Sequence, residues 1–300
     1  MGRFSIIITC YNQRSFIKDA VGSALAQSYA DREIVVVDDG STDGSPKILE
    51  EYADACKLQL LETNEGASAA RNRGASLASG DFLVFLDGDD LLLPWALNVY
   101  DRIVDLKHPK LILGRMLWFE GTFRSAPPGN DPREIRVVDY EAFLKKDRPF
   151  RVSASAVVVD RHSFSDIGGW AKEIWPGEDH DLLIRLGYVG RTVQIVSPQT
   201  IAYRVHAGNT VHQVQKVCNG LHQLIRREEL GQYPGGRVCR FERYGVIGGI
   251  VFFWSKRAFQ AKQYREGLKL LAAGWPMVLA AIFRRSVAVL RGRRREEILT

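Results

Sequence analysis

The chain has 300 residues, 46% of them apolar and 25% charged, a balance that argues against disorder and allows one large domain, or a domain with an appendage. Its four cysteines, Cys10, Cys56, Cys218 and Cys239, are scattered with no CxxC pair, so neither a zinc site nor a disulfide framework is expected and all four read as reduced thiols. The formal charge of +6 belongs to the C-terminus: residues 256–300 hold eleven Lys and Arg against three Asp and Glu, leaving 30 against 32 for residues 1–255. No basic stripe therefore crosses the main body, and nucleic acid is not an expected partner.

The opening MGRFSIIITCYN lacks the long apolar core and cleavage site of a secretory signal, which sets a cytoplasmic expectation. Short apolar runs then alternate with helix-like stretches: FSIIITC, SFIKDAVGSALAQSY, EIVVVDD, SPKILEEYAD, LQLLET, ASAARNRGASLAS and DFLVFLD. That order predicts a parallel sheet with crossover helices, and the Val run in EIVVVDD, without polar alternation, predicts a strand covered on both faces. Ligands of such sheets gather beyond the carboxyl ends of the strands, where Thr9, Asp38, Asp39, Asp87 and Asp89 would project.

A helix is predicted over 94–107, opened by Pro94, followed by one strand through KLILGRMLWFEG. Residues 121–150, rich in Pro, Gly and charge, read as a loop and connector. VSASAVVVD reads as a strand, EDHDLLIRLGYVG as a helix with Leu182, Leu183 and Leu186 on one side, and TVQIV and TIAYRVH as extended. Two later apolar runs, GVIGGIVFFW and LLAAGWPMVLAAIF, fall short of the roughly 20 residues that cross a bilayer, and Pro276 interrupts the second. With KRAFQAKQYREG and RRSVAVLRGRRR between and after them, they predict basic, partly apolar helices that lie on an anionic membrane surface or dock on the body.

DFLVFLDGDD drives five apolar residues into Asp87, Asp89 and Asp90, a costly concentration of like charge that a divalent cation with a phosphorylated ligand would relieve. Asp90 reads as a cap for a helix beginning near LLLPWAL. A carboxylate after EIVVVD can accept hydrogen bonds from a ligand's N–H or hydroxyl groups, the alternative being that one Asp caps the helix that follows.

Five motifs occur in order: SIIITCYN, EIVVVDDGSTDGS, NEGASAARNRG, FLDGDD and GEDHDLLIRL. Through them residues 3–215 resemble the family 2 glycosyltransferases of the GT-A fold. The resemblance implies an α/β architecture, a Rossmann-like, mostly parallel sheet with flanking helices, and here a C-terminal helical appendage. It divides the chain into 1–215 (nucleotide-binding half 1–93, acceptor-binding half 94–215) and 216–300. It places Asp39 at the nucleotide base with Thr9 and Tyr11 lining the pocket, and Arg71 stacked on a ring or paired with Asp39, while Arg73 reads as structural. Asp89 becomes a ligand of Mn2+ or Mg2+, Asp87 holds ribose or metal, and His206 completes the metal shell or touches the diphosphate. Asp179 becomes the general base of an inverting transfer, with Glu178 as competitor and Asp181 as a weaker one. Glu178 and Trp170 are candidates to face sugar or acceptor; Trp170 and the neighbouring Trp175 are equally eligible for core packing. His108, His162, His180, His212 and His222 read as structural.

The function this implies is metal-dependent transfer of a sugar from a nucleotide diphosphate donor, with UDP the expected nucleotide, to a hydroxyl of a saccharide or lipid-linked acceptor in cell-surface polysaccharide or glycolipid synthesis, at the cytoplasmic side of a membrane. Two rivals are a sugar nucleotidyltransferase, which wants a Gly-rich basic phosphate loop where this chain has TCYNQRSF, and a non-catalytic nucleotide-sugar-binding subunit.

Overall fold

The computed structural model describes residues 3–125, 135–140, 144, 152–291 and 297–299. The apolar runs of the first 90 residues become β1 (Phe4–Cys10), β2 (Arg32–Asp38), β3 (Lys57–Leu60) and β4 (Phe82–Asp87), joined by α1 (Ile17–Leu25), α2 (Ser45–Glu50) and α3 (Ala67–Leu77). β1 pairs in parallel with β2 and β4, and β2 with β3. Both faces of these strands are covered, so the Val and Ile runs need no polar alternation. Ile7, Val35, Val37 and Phe85 turn toward Ala70 of α3, whereas Ile6, Ile8, Val36 and Val84 turn toward Ile17, Ala20 and Val21 of α1.

The sheet continues through β9 (Val157–Asp160), β6 (Leu111–Leu113), β10 (Thr192–Ser197), β8 (Ile135–Tyr140) and β12 (Glu297–Leu299), in the order β12-β8-β10-β6-β9-β4-β1-β2-β3. β9 runs against β4 and β6, and β8 against β10 and β12; the other strands share one direction, the mostly parallel arrangement expected. A small second sheet, β5 (Leu91–Leu92), β11 (Ile201–Val205) and β7 (Met116–Glu120), lies beyond the end of β4.

Several expectations are corrected. KLILGRMLWFEG is not one strand: β6 and β7 belong to different sheets, and the chain turns at Gly114, where a Cβ would stand 2.7 Å from Thr200 Oγ1 and 3.0 Å from the Tyr100 hydroxyl. The segment 121–150, expected to be loop, contributes β8 from residues 135–140; its other residues apart from 121–125 and Leu144 lie outside the described ones. The C-terminal region, expected to be helical, ends in β12 on the edge of the main sheet.

Helix α4 (Ala96–Lys107) follows the small sheet's first strand, α5 (Arg161–Asp166) follows β9, and α6 (Glu178–Val189) precedes β10. Three further helices follow: α7 (Val214–Glu229), α8 (Arg240–Gln260) and α9 (Tyr264–Arg291). α7 buries Val217, Leu221, Leu224 and Ile225 in the cluster that also holds Phe85 of the sheet and Leu182 and Leu186 of α6, so these helices share the body's core. Gly220 lets α7 touch the loop before α6; a Cβ there would come within 1.8 Å of the Pro176 carbonyl. Gly248 does the same between α8 and α9, where a Cβ would come within 1.8 Å of the Met277 carbonyl. Pro276 does not end α9, although its ring removes one backbone donor. By length and composition alone, the 24 residues Tyr264–Val287 would suffice to cross a membrane, although 39% of an apolar 18-residue stretch within them is buried inside the molecule, which corrects the expectation of a run too short to do so.

Candidate active site

The parallel register sets the site's frame. Thr9 sits between Val37 and Asp87 on neighbouring strands, and Cys10 lies opposite Asp38, so three chain segments end together at one sheet edge. The turns leaving that edge are tied to β1: Asp39 N–H donates to the Cys10 carbonyl at 2.8 Å and Gly88 N–H to the Thr9 carbonyl at 2.9 Å. Asp38 is buried and accepts from Ser41 N–H at 2.8 Å, a turn-holding role. Asp39, also buried, accepts from the N–H groups of Glu65 and Gly66 at 2.8 and 2.9 Å, pinning the NEG turn before α3. Burial lifts the Asp39 carboxyl above its ordinary range, more than those two donors lower it. Tyr11 is 49% exposed beside this edge.

The acidic turn is organised by partners from outside its own strand. Gly88 is required by space: a Cβ would meet Gln13 Oε1 at 2.2 Å and the Thr9 carbonyl at 2.9 Å. Arg71, buried on α3, donates to Asp87 Oδ1 at 2.7 Å and to Glu178 Oε1 at 3.0 Å, joining FLDGDD to GEDHD across the site. Burial works against the Arg71 charge, yet the two carboxylates outweigh it and hold the guanidinium above its usual range. Its expected partner, Asp39, is instead bonded to the NEG turn, because Arg71 points along the sheet edge to β4 and α6. Trp170, a candidate to face sugar, is 1% exposed, with Phe85 edge-on at 5.1 Å and the Arg71 guanidinium over its ring at 4.9 Å. It is a core residue that supports Arg71; Trp175, 43% exposed, is the tryptophan of the pair that meets solvent.

Asp89 Oδ2 lies 2.9 Å from His206 Nε2, which brings together two of the three residues expected at a metal, and the His206 ring packs on Phe16 with centroids 4.8 Å apart. Asp90 caps no helix. It is fully buried, accepting from Ser155 Oγ at 2.6 Å and from Arg204 N–H at 2.9 Å, because the residues after it form β5 rather than a helix. Burial first, then Asp89 and Asp87, push its pKa well above the carboxylate range. Arg204 is a partner that pattern reading missed: it lies between the rings of Phe16 and Phe119 at 4.9 and 4.7 Å and donates to the Asp89 carbonyl at 2.9 Å and to Asp19 at 2.9 Å. Nothing in YRVH separates this arginine from a solvated one; its role follows from β11 running beside the acidic turn.

The acids of GEDHD divide by environment. Glu178 is buried and committed to Arg71 and to Gly177 N–H, and burial raises its pKa despite the arginine. Asp181, with no exposed side-chain surface, accepts from Arg185, Arg227 and Tyr233 and ties α6 to α7, so it is excluded as a base. Among the described residues Asp179 is the acid of the three not bonded to an arginine, and its carboxylate meets His180 Nδ1 at 2.7 Å. Burial alone would raise Asp179, but the imidazole outweighs it and holds the carboxyl below its usual range, while His180 is raised in turn by Asp179 against its own burial. Position in the first turn of α6 also favours the anion.

Among the described residues no group of three or more His, Cys, Asp or Glu is disposed to hold an ion by itself. Asp89 and His206 nevertheless present a hard carboxylate oxygen and an imidazole nitrogen side by side, a donor pair compatible with Mn2+ that would leave further positions to water and phosphate. Asp87, expected to share that role, is already compensated by Arg71.

Residues 5–167, more than half of the chain, match the family described as "Glycosyl transferase family 2". The chain belongs to this family. Among relatives of this family 2 glycosyl transferase, the Escherichia coli "UDP-Glc:alpha-D-GlcNAc-diphosphoundecaprenol beta-1,3-glucosyltransferase WfaP" is 28% identical over 82% of the chain and 94% of its own length. The "Putative glycosyltransferase EpsH" of Bacillus subtilis is 29% identical over 71% of the chain. The chain spans 63% of the length of EpsH, and 35% of a glycosyltransferase of Nostoc sp. that it matches at 37% identity. Of solved structures, S. aureus TarS 1-349 in complex with UDP-GlcNAc superposes over 94% of the chain and 82% of its own, with TM-score 0.67 and 18% identity. The mannosyltransferase PcManGT from Pyrobaculum calidifontis, in complex with GDP-Man and Mn2+, gives 0.56 at 17% identity over 95% and 87%. At these identities the likeness establishes the fold, the GT-A architecture.

Proposed function

We propose that this chain is an inverting glycosyltransferase that moves a sugar from a nucleotide diphosphate, with UDP as the nucleotide, to a hydroxyl of a lipid-linked saccharide in cell-envelope polysaccharide synthesis, on the cytoplasmic side of the membrane. The observation that carries it is the pair of charge-assisted hydrogen bonds from Arg71 to Asp87 and Glu178: two motifs about ninety residues apart in the chain face one another, which supports a reading in which a donor at the acidic turn and a base at the start of α6 share one site. The choice of UDP is supported by the uridine nucleotide in the names of WfaP and of the TarS complex, and a lipid-linked acceptor by the name of WfaP.

Asp39 orients the base. Each of its oxygens keeps a lone pair after accepting from Glu65 and Gly66, enough to take the N3–H of a uracil, with Thr9 and Tyr11 beside it. Asp87, anchored by Arg71, takes the ribose hydroxyls. Asp179 removes the acceptor hydroxyl proton as that oxygen attacks the anomeric carbon opposite the departing diphosphate. Being held below the usual carboxylate range, it is in its base form throughout the neutral region. Mn2+ or Mg2+, held by Asp89 and His206, would supply positive charge to the leaving diphosphate.

The test is a panel of nucleotide sugars with Mn2+ or Mg2+ and a diphosphate-lipid-linked saccharide, following released nucleoside diphosphate. Asp179→Asn should lose roughly 10²–10⁴-fold in turnover while keeping donor affinity, and Asp89→Ala should lose both turnover and metal dependence. Native rates in both variants would overturn the assignment, and nucleotide binding without transfer by the wild type would favour a non-catalytic binding subunit.

A further inference from the structure

α9 presents two unlike sides. Leu270, Gly274, Met277, Val278 and Ala281 are buried against the neighbouring helices, whereas Leu268, Trp275, Leu279 and Phe283, spaced to fall on the opposite side, are each more than half exposed. Ile282 and Tyr264 lie on the same outward stripe, and Phe241 of α8 joins it edge-on to Phe283 at 6.0 Å. A row of large apolar side chains of this length is not the scattered exposure of an ordinary soluble surface. The stripe is bounded by Lys262, Arg265 and Lys269 at one end and by Arg285 at the other, within a stretch whose eleven basic residues outnumber its acids by eight.

We infer that the outward face of α9 is a docking surface for an anionic lipid bilayer, with the helix lying in the plane of the interface rather than crossing it. The apolar stripe inserts among the acyl chains, and the flanking cations meet the head groups. Charge complementarity selects this occupant: a second copy of the chain would bring an equally basic rim against this one. Crossing is disfavoured because the inward side of α9 is buried on α8, with Gly248 against the Met277 carbonyl and Gly274 against Val251, and would have to leave those contacts to be surrounded by lipid. The surface is mechanically tied to the candidate site. Arg243 of α8 donates to both oxygens of Glu228 on α7, and Arg227 beside it donates to Asp181 at 2.9 Å, two residues after Asp179. Docking through α9 therefore fixes the orientation of α6 relative to the bilayer, where a lipid-linked hydroxyl would be presented.

The experiment is flotation of the full chain with vesicles of phosphatidylglycerol and phosphatidylcholine, and with phosphatidylcholine alone, at about 0.1 M and 0.5 M salt. The wild type should float with the anionic vesicles, at least about tenfold less with the neutral ones or at the higher salt. Leu279→Ser/Phe283→Ser should weaken partition roughly a hundredfold, since two apolar side chains leave the lipid, while its circular dichroism and UDP affinity stay as in the wild type. Equal flotation of the double variant, wild type left unbound by anionic vesicles, a wild-type dimer that the substitutions dissociate, or wild type that resists alkaline extraction as a spanning helix would each overturn the proposal. Flotation needs no turnover, so its failure and failure of the transferase reading are separately visible.

Discussion

Arg71→Gln tests the bridge on which the site is built. The guanidinium makes charge-assisted bonds of 2.7 and 3.0 Å to two carboxylates, and its own side chain and that of Glu178 are 6% and 10% exposed. Removing one member of a buried ionic cluster leaves the others uncompensated, at about 3–5 kcal/mol, a range wide enough to include the lost contact over the Trp170 ring. Part of this is relieved by protonation. Glu178 is already above its usual range through burial, opposed by Arg71, so without the arginine it rises further. The folded variant then binds a proton more tightly than the unfolded chain, so its deficit is greatest above neutrality and shrinks as pH falls through the raised value. Urea denaturation at about pH 8 and pH 5 should show a loss of about 3–5 kcal/mol at the first and clearly less at the second. Arg71→Gln/Glu178→Gln should recover about 2 kcal/mol at the higher pH. A loss under about 1 kcal/mol, a deficit independent of pH, or a double variant no better than the single would refute the reasoning.

Glu33 accepts from Ser5 Oγ, Ser79 N–H and Oγ, Gly80 N–H and Lys57; burial would raise it, but these donors hold it at about 2. Its folded value lies below the unfolded one, so the stabilisation is present above about pH 4.5 and lost as pH falls toward 2; Glu33→Gln should cost about 1–2 kcal/mol at neutral pH, discounted for partial exposure, and almost nothing near pH 2 by thermal melting. Gly88→Ala should cost about 1–3 kcal/mol and weaken Mn2+-dependent UDP binding, because the turn must leave the Thr9 carbonyl; isothermal titration that finds native affinity would count against the packing argument. In His180→Gln, Asp179 loses the partner that lowers it, so the acidic limb of the kcat/KM profile should move to higher pH; an unmoved limb would mean that another group is the base.

What could be read from the sequence was whatever depends on local pattern. EIVVVDD and DFLVFLD announce buried parallel strands, and the acids after them mark the carboxyl edge, because a strand followed by a Gly-containing turn can put them nowhere else. What stayed hidden depends on distant neighbours. The bend at Gly114 answers to Thr200 and Tyr100, and the apolar run on either side gives no sign of it. Asp90 is met by Ser155 and Arg204 where the Asp89 carboxylate is met by His206, and Trp170 packs against Phe85 and Arg71 where Trp175 stays 43% exposed. The clustered charge of the acidic turn predicted a cation, and the protein supplies part of that compensation itself through Arg71.

The clamp of Arg204 on the acidic turn has a consequence for engineering. Its guanidinium grips the Asp89 carbonyl from between two aromatic plates, one before α1 and one on β7, and also holds the Gly121 carbonyl at 2.6 Å. A graft that carried only residues 82–90 into a related scaffold would therefore transplant the letters of the motif without its hinge-pin. Exchange of the segment that begins at Gly121 between homologues would reach back, through a single side chain, to the acidic turn.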